Sequence, residues 1–263
     1  MYFHQGSRTA PTGDDIVAEA HSPLAQFEIK TLAELHPFGI DASFTNASLI
    51  MVVVVGLVTL FIVAGMNKAT IVPGRFQGMV EFFYEFIANL LKENTGPKGK
   101  QFFPLVFSLF MFILGSNLIG LFGVITVTSH IVVTFALAFM VITIVTVVGF
   151  ARHGTHYFSY FAPQGAPMWL MPLMIPLEII SYLIRPISLS VRLFANMVAG
   201  HVMLGVLGTF VVGLGSLFFA LGAIPLAAIP LIFALELLVA LLQAYVFAIL
   251  TCIYLNDAIH LAH

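Results

Sequence analysis

Charge is what this sequence has least of. Asp, Glu, Lys and Arg together make up 8% of its 263 residues, against about 25% in an ordinary soluble domain. With 60% of residues hydrophobic and a mean hydropathy of +1.05, that shortage excludes a water-soluble fold and leaves no place for a second, soluble domain. Cysteine is almost absent too. Cys252 is the single one, so an internal disulfide is excluded, and its apolar surroundings read as those of a small buried side chain. The net charge is only −2 and no basic run occurs, which gives no support to a nucleic-acid partner. Nucleophile, phosphate-loop and nucleotide motifs are missing, so no catalysis by the chain itself is expected. His153 and His156 have a spacing that metals use, but no further ligand stands nearby, and neither a metal nor another cofactor is expected.

Long apolar runs fill the space that charge leaves. A hydrocarbon layer about 30 Å thick needs roughly 20 apolar residues in a helix, and residues 47–66, 102–122 and 131–150 each supply such a span. Between the first two lies a stretch, 73–95, in which Gln77, Glu81, Glu85, Asn89 and Lys92 recur every three or four residues opposite Phe83, Phe86, Ile87 and Leu90. One polar and one apolar helical face result, as in a helix lying in the interface plane. From residue 168 to 255 the chain is almost unbroken apolar sequence, with Gly222, Pro225 and Pro230 as the natural turn. It reads as a hairpin of two long helices, 168–221 and 224–259. A helix of that length reaches about 70 Å, so it must tilt steeply, and Pro172, Pro176 and Pro186 are placed to bend its first half. The predicted class is an all-α integral membrane protein with five crossings, one interfacial helix and a single membrane domain over 47–263.

The first 46 residues hold six acids and no short apolar core of the signal-peptide kind, so they read as a retained polar tail ahead of a first span that serves as signal and anchor. Lys68, Arg75, Lys92, Lys98 and Lys100 lie between the first two spans and Arg152 follows the third, while the tail has only Arg8 and Lys30. The positive-inside rule places that first connection inside, the N-terminus outside and the C-terminus inside.

Two arginines interrupt the long oily stretch. On a continuous helix Glu178, Ser181, Arg185, Ser188, Arg192 and Asn196 follow at steps of three or four and form one polar stripe. A face with two arginines does not point at lipid, where each costs a few kcal/mol or more. One reading pairs Glu178 with Arg185 and Arg192 with Glu236, so that the ions merely specify packing. The other takes Glu, His, Asn and Gln as the members of a proton path. Arginine effectively never loses its proton, so Arg192 acts there as a gate between two half-paths rather than as a carrier.

Residues 178–201, EIISYLIRPISLSVRLFANMVAGH, together with 235–255, LELLVALLQAYVFAILTCIYL, resemble the subunit a family of F-type ATP synthases, the membrane stator that faces a rotating c-ring. FTNASL (44–49), SNLIGL (116–121) and RHGTHYFSYFAPQGAP (152–167) extend the resemblance over most of the chain. It implies that Arg192 faces the ring carboxylate, with Asn196 lining the same site. It places His201 and Glu236 in the outer half-channel, in the reversed order of mitochondrial and alphaproteobacterial members, and Gln243 one helical repeat beyond Glu236. Glu178 falls near the inner half-channel, with Ser188 between it and Arg192. Asn117 is a candidate for the outer path, against a simple interhelical hydrogen bond. The turn at 118–130 lacks the proline that many relatives have, and His130 there reads as an exposed loop histidine.

The implied partners are the c-ring, the b-type subunits of the peripheral stalk, the other ATP synthase subunits, the bilayer and protons. The implied location is a bacterial plasma membrane, with the mitochondrial inner membrane as the alternative. A stand-alone proton-coupled secondary transporter is the competing class, but such folds carry two corresponding halves and this chain has no second copy of its stripe. A purely structural scaffold explains the oily composition and not the stripe.

Overall fold

The structure is a computed structural model that describes residues 31–33, 44–67, 70–122, 127–154, 156–157, 170–217 and 219–260. Most of the expected polar tail, the centre of the turn after SNLIGL and the second half of RHGTHYFSYFAPQGAP lie outside the described residues, as do Lys68 and residues 168–169.

Among the described residues six α-helices carry the fold: α1 Asn46–Met66, α2 Arg75–Thr95, α3 Phe103–Leu121, α4 Ile131–His153, α5 Met171–Leu217 and α6 Phe219–Ile259. Five of them, all but α2, are long and apolar enough to cross a membrane. Helices suit that setting because every backbone polar group is satisfied within the segment. Ahead of α1, β1 Thr31–Ala33 pairs antiparallel with β2 Phe44–Thr45, a short contact that composition does not announce. Thr45 then caps α1, its hydroxyl accepting from the Ser48 N–H at 3.3 Å. Helices α2 and α4 both end on glycines of positive φ, Gly96 at 66° and Gly154 at 55°, a conformation that side chains disfavour.

The α5–α6 hairpin is the spine, with α4 against both of its arms, α3 against α6, and α2 against α6 and α1. Phe110 and Ile113 of α3, Val141 of α4, Leu193 of α5 and Phe247 of α6 meet in one buried cluster. Lipid tails are as apolar as these side chains, so packing contacts and interhelical hydrogen bonds hold the helices together rather than hydrophobic exclusion. The outer surface stays oily: Val52 is 64% exposed and Leu60 63%.

Two expectations change. The break between the long helices falls between Leu217 and Phe219, ahead of the Gly–Pro cluster, and Pro225 and Pro230 sit inside α6. A proline removes one backbone hydrogen bond and bends a helix, which neighbours in a bundle tolerate. Gly222 instead allows close approach of the two arms, since a Cβ there would stand 2.8 Å from the Gly215 Cα. On α2, Gln77 is buried rather than on the polar face. Its amide donates to the Thr70 carbonyl at 2.9 Å and to Glu81 at 2.7 Å, while its oxygen accepts from the Thr70 N–H at 3.1 Å, tying down the connection that enters α2.

Candidate functional site

The polar stripe lies on α5, which continues unbroken through both arginines. At about 100° per residue, Glu178 to Asn196 occupy roughly a quarter of the helix circumference. Leu189, Ser190, Leu193 and Met197 are buried against the neighbours, whereas Ser181, Ser188 and Arg192 are exposed and Glu178, Arg185 and Asn196 half-buried. The stripe therefore runs along the margin of the packed face, open on one side. Its rotation is fixed by hydroxyl pairs to α4: Thr134 with Ser190 at 3.1 Å and Thr146 with Tyr182 at 2.5 Å.

Neither of the ion pairs weighed from spacing occurs among the described residues. Arg185 donates to Asp257 of α6 at 3.2 Å instead, and its guanidinium lies 5.1 Å from the Tyr254 ring centre and 5.8 Å from that of Tyr182. Arg192 makes no ion pair with any described residue. The register explains the choice. The antiparallel arms bring Gly215 to Gly222 and Gly200 to Glu236, and following the same register downward sets Arg185 against Asp257 across 72 residues of sequence.

Above Arg192 the two arms part around a cavity of about 170 Å³. Asn196 and His201 from α5 and Glu236 from α6 supply its polar lining, among Met197, Val239 and Leu121. The Glu236 carboxylate lies against the α5 backbone: a Cβ on Gly200 would come 2.6 Å from its Oε1. That oxygen is buried with no hydrogen-bond partner among the described residues, a costly state for a carboxylate unless it takes a proton or polar company. His201 is off the stripe, on the side that lines the cavity.

Below Glu236, Gln243 is buried on the same face of α6, its Nε2 without a partner among the described residues. Between them Asn117 of α3, fully buried, donates to the Ala240 carbonyl at 3.3 Å and accepts from the Thr128 hydroxyl at 3.1 Å. Asn117 is thus an interhelical hydrogen bond, one placed between the two unpartnered groups of α6. His130 is half-buried rather than an exposed loop residue, with a buried, unpartnered Nε2, and burial lowers its pKa from the ordinary 6.5.

The arrangement separates the named residues into two groups. Asn196, His201 and Glu236 share the cavity, with Asn117 and Gln243 behind it. Glu178, some 23 residues from His201 on the same helix, is roughly 35 Å away along the axis, on the other side of Arg192. His153 and His156 have no third ligand to form a metal cluster among the described residues. Sequence reading missed Asp257, Tyr254, Thr128 and Gly200. An acid two residues from the helix end reads as solvated, and only the register of the hairpin reveals its partner.

Residues 47–256 match the family described as "ATP synthase A chain". The chain is 52% identical over 244 residues to an ATP synthase subunit a of Paramagnetospirillum magneticum, covering 91% of this chain and 99% of that protein. It is 51% identical to the subunit a of Beijerinckia indica, over 94% of this chain and 100% of the relative, and 50% identical to that of Rhodospirillum rubrum, over 92% and 99%.

Proposed function

Because this chain belongs to the ATP synthase A chain family, as a multi-pass subunit a of the membrane sector of the complex, we propose that it forms two proton half-channels separated by Arg192 and couples proton flow to rotation of a c-ring. The observation that carries this reading is the contrast along α5. A permanent cation with no ion pair among the described residues stands on the open margin of the helix, directly below a cavity lined by Asn196, His201 and Glu236.

Protons enter from the outer side past Asn117, Glu236 and His201 and neutralise a ring carboxylate. Neutral, that carboxyl crosses lipid at little cost; ionised, it does not. After nearly a full turn it meets the inner half-channel near Glu178 and Ser188, releases its proton and is held as an anion by Arg192. Gln243, buried one helical repeat from Glu236 on the same face, offers that path an amide not yet engaged. Arg192 keeps its proton throughout, so no proton hops directly from one half-channel to the other. One charge moving across 100 mV yields about 2.3 kcal/mol, so several protons are needed for each ATP made elsewhere in the complex.

The c-ring and the peripheral-stalk b-type subunits are the partners this reading requires. The location is the plasma membrane of a bacterium, with the N-terminus outside and the C-terminus inside. No repeated half accompanies the stripe, which leaves the stand-alone transporter without support. The test exchanges the pair in the cavity. His201→Glu with Glu236→His should keep more ATP-driven proton pumping than either single change, each of which should lose most of it; singles that pump at the unaltered rate would remove both residues from the path.

A further inference from the structure

Helix α5 carries two permanent cations, seven residues or roughly 10 Å apart on one face. A carboxylate moving past that face is attracted to either, yet a gate works only if it stops at one. The structure treats the two differently. Arg192 is exposed and without an ion pair among the described residues. Arg185 is held at 3.2 Å by Asp257, its side chain 21% exposed, with the ring centres of Tyr254 and Tyr182 at 5.1 and 5.8 Å from its guanidinium. Tyr182 is itself fixed by the Thr146 hydroxyl of α4 at 2.5 Å. Three helices therefore contribute to the surroundings of Arg185, whereas Arg192 stands exposed on the margin of α5.

We propose that Asp257 silences Arg185: the ion pair occupies the guanidinium that would otherwise capture a passing ring carboxylate two turns on the inner side of Arg192. This rests on the reading of Arg192 given above. The pair is neutral as a whole, so it presents neither a trap nor a barrier to an anion on the stripe. Its loss leaves a second cation on the ring-facing margin. A carboxylate caught there is held against its release into the next step, so rotation stalls in both directions.

The experiment uses the assembled complex in inverted vesicles, with subunit and ring content checked for each variant, and follows ATP-driven proton pumping and ATP hydrolysis together. Asp257→Asn should lower both at least about fivefold, because a stalled rotor stops hydrolysis as well. Adding Arg185→Gln should return both to within about twofold of the Arg185→Gln single variant, since the trap has been removed. Asp257→Glu, which keeps the carboxylate, should retain both activities. A double variant as slow as Asp257→Asn overturns the proposal, and so does lost pumping with undiminished hydrolysis, the sign of a leak rather than a trap. If Asp257→Asn does not assemble, the assembled double variant decides: pumping near the Arg185→Gln rate supports silencing, and its absence overturns it. Arg192→Ala in the same vesicles separates the two layers, for normal pumping there would overturn the gate itself, and the silencing with it.

Discussion

Gly200 shows how much one missing methyl group can set. Its bare backbone lets the Glu236 carboxylate lie flat against α5, beside His201 and Asn196. Gly200→Ala would put a Cβ 2.6 Å from that oxygen and 3.0 Å from the carboxyl carbon. The flexible end of Glu236 must then rotate away, at a cost of about 1 kcal/mol or more for a strained side chain. The expected result is a several-fold loss of proton pumping with assembly intact, partly recovered when Glu236→Asp shortens the side chain. Equal pumping by Gly200→Ala and the unaltered complex would mean that the carboxylate position is immaterial. At this scale the sequence was legible for residues whose chemistry is conspicuous in oil: Arg192, His201 and Glu236 stand out by being there at all. Gly200 and Asp257 were not legible, because a glycine among small residues and an acid near a helix end each have an ordinary explanation. Their importance depends on a partner on the other arm, 36 residues away for Gly200 and 72 for Asp257.

At the scale of elements, the length of the apolar runs revealed five helices with the composition to cross a membrane. The apex of the hairpin was misplaced because glycine and proline are read locally as a turn. Inside a bundle the same residues serve close approach and gentle bending, as Gly222, Pro225 and Pro230 do. Nor does periodicity fix the rotation of α5 about its own axis. Part of that rotation is held by the buried pair of Thr134 and Ser190. Thr134→Val strands the Ser190 hydroxyl in an apolar contact, a loss of about 1–3 kcal/mol. Thr134 also donates to the Ile131 carbonyl at 3.0 Å, so Ser190→Ala leaves it satisfied and should cost less. The double variant should therefore be more stable than Thr134→Val alone, as read from thermal midpoints of the purified complex. A double variant less stable than either single would show that the two hydroxyls do not act as a pair.

The whole molecule is shaped for a setting in which water and lipid are both present but in different places. Its rim of exposed Val, Leu and Phe suits hydrocarbon, and three of its buried polar atoms without a hydrogen-bond partner among the described residues, Glu236 Oε1, Gln243 Nε2 and Ser116 Oγ, lie on α3 and α6. The long hairpin carries that line past Arg192 to the Arg185–Asp257 pair near its other end. Membership of the ATP synthase A chain family was legible from the SLSVRLFAN stretch and is shown by the match over residues 47–256. What no single chain displays is the moving partner, and the account stands or falls on how that partner meets Arg192. The most direct measurement is ATP-driven proton pumping by inverted vesicles that hold the complete complex with Arg192→Ala, alongside passive proton leak through the same vesicles. The account predicts that pumping falls to background with the complex assembled, and that leak rises once the fixed charge between the half-channels is gone. Pumping at the unaltered rate would contradict it and return Arg192 to a packing role.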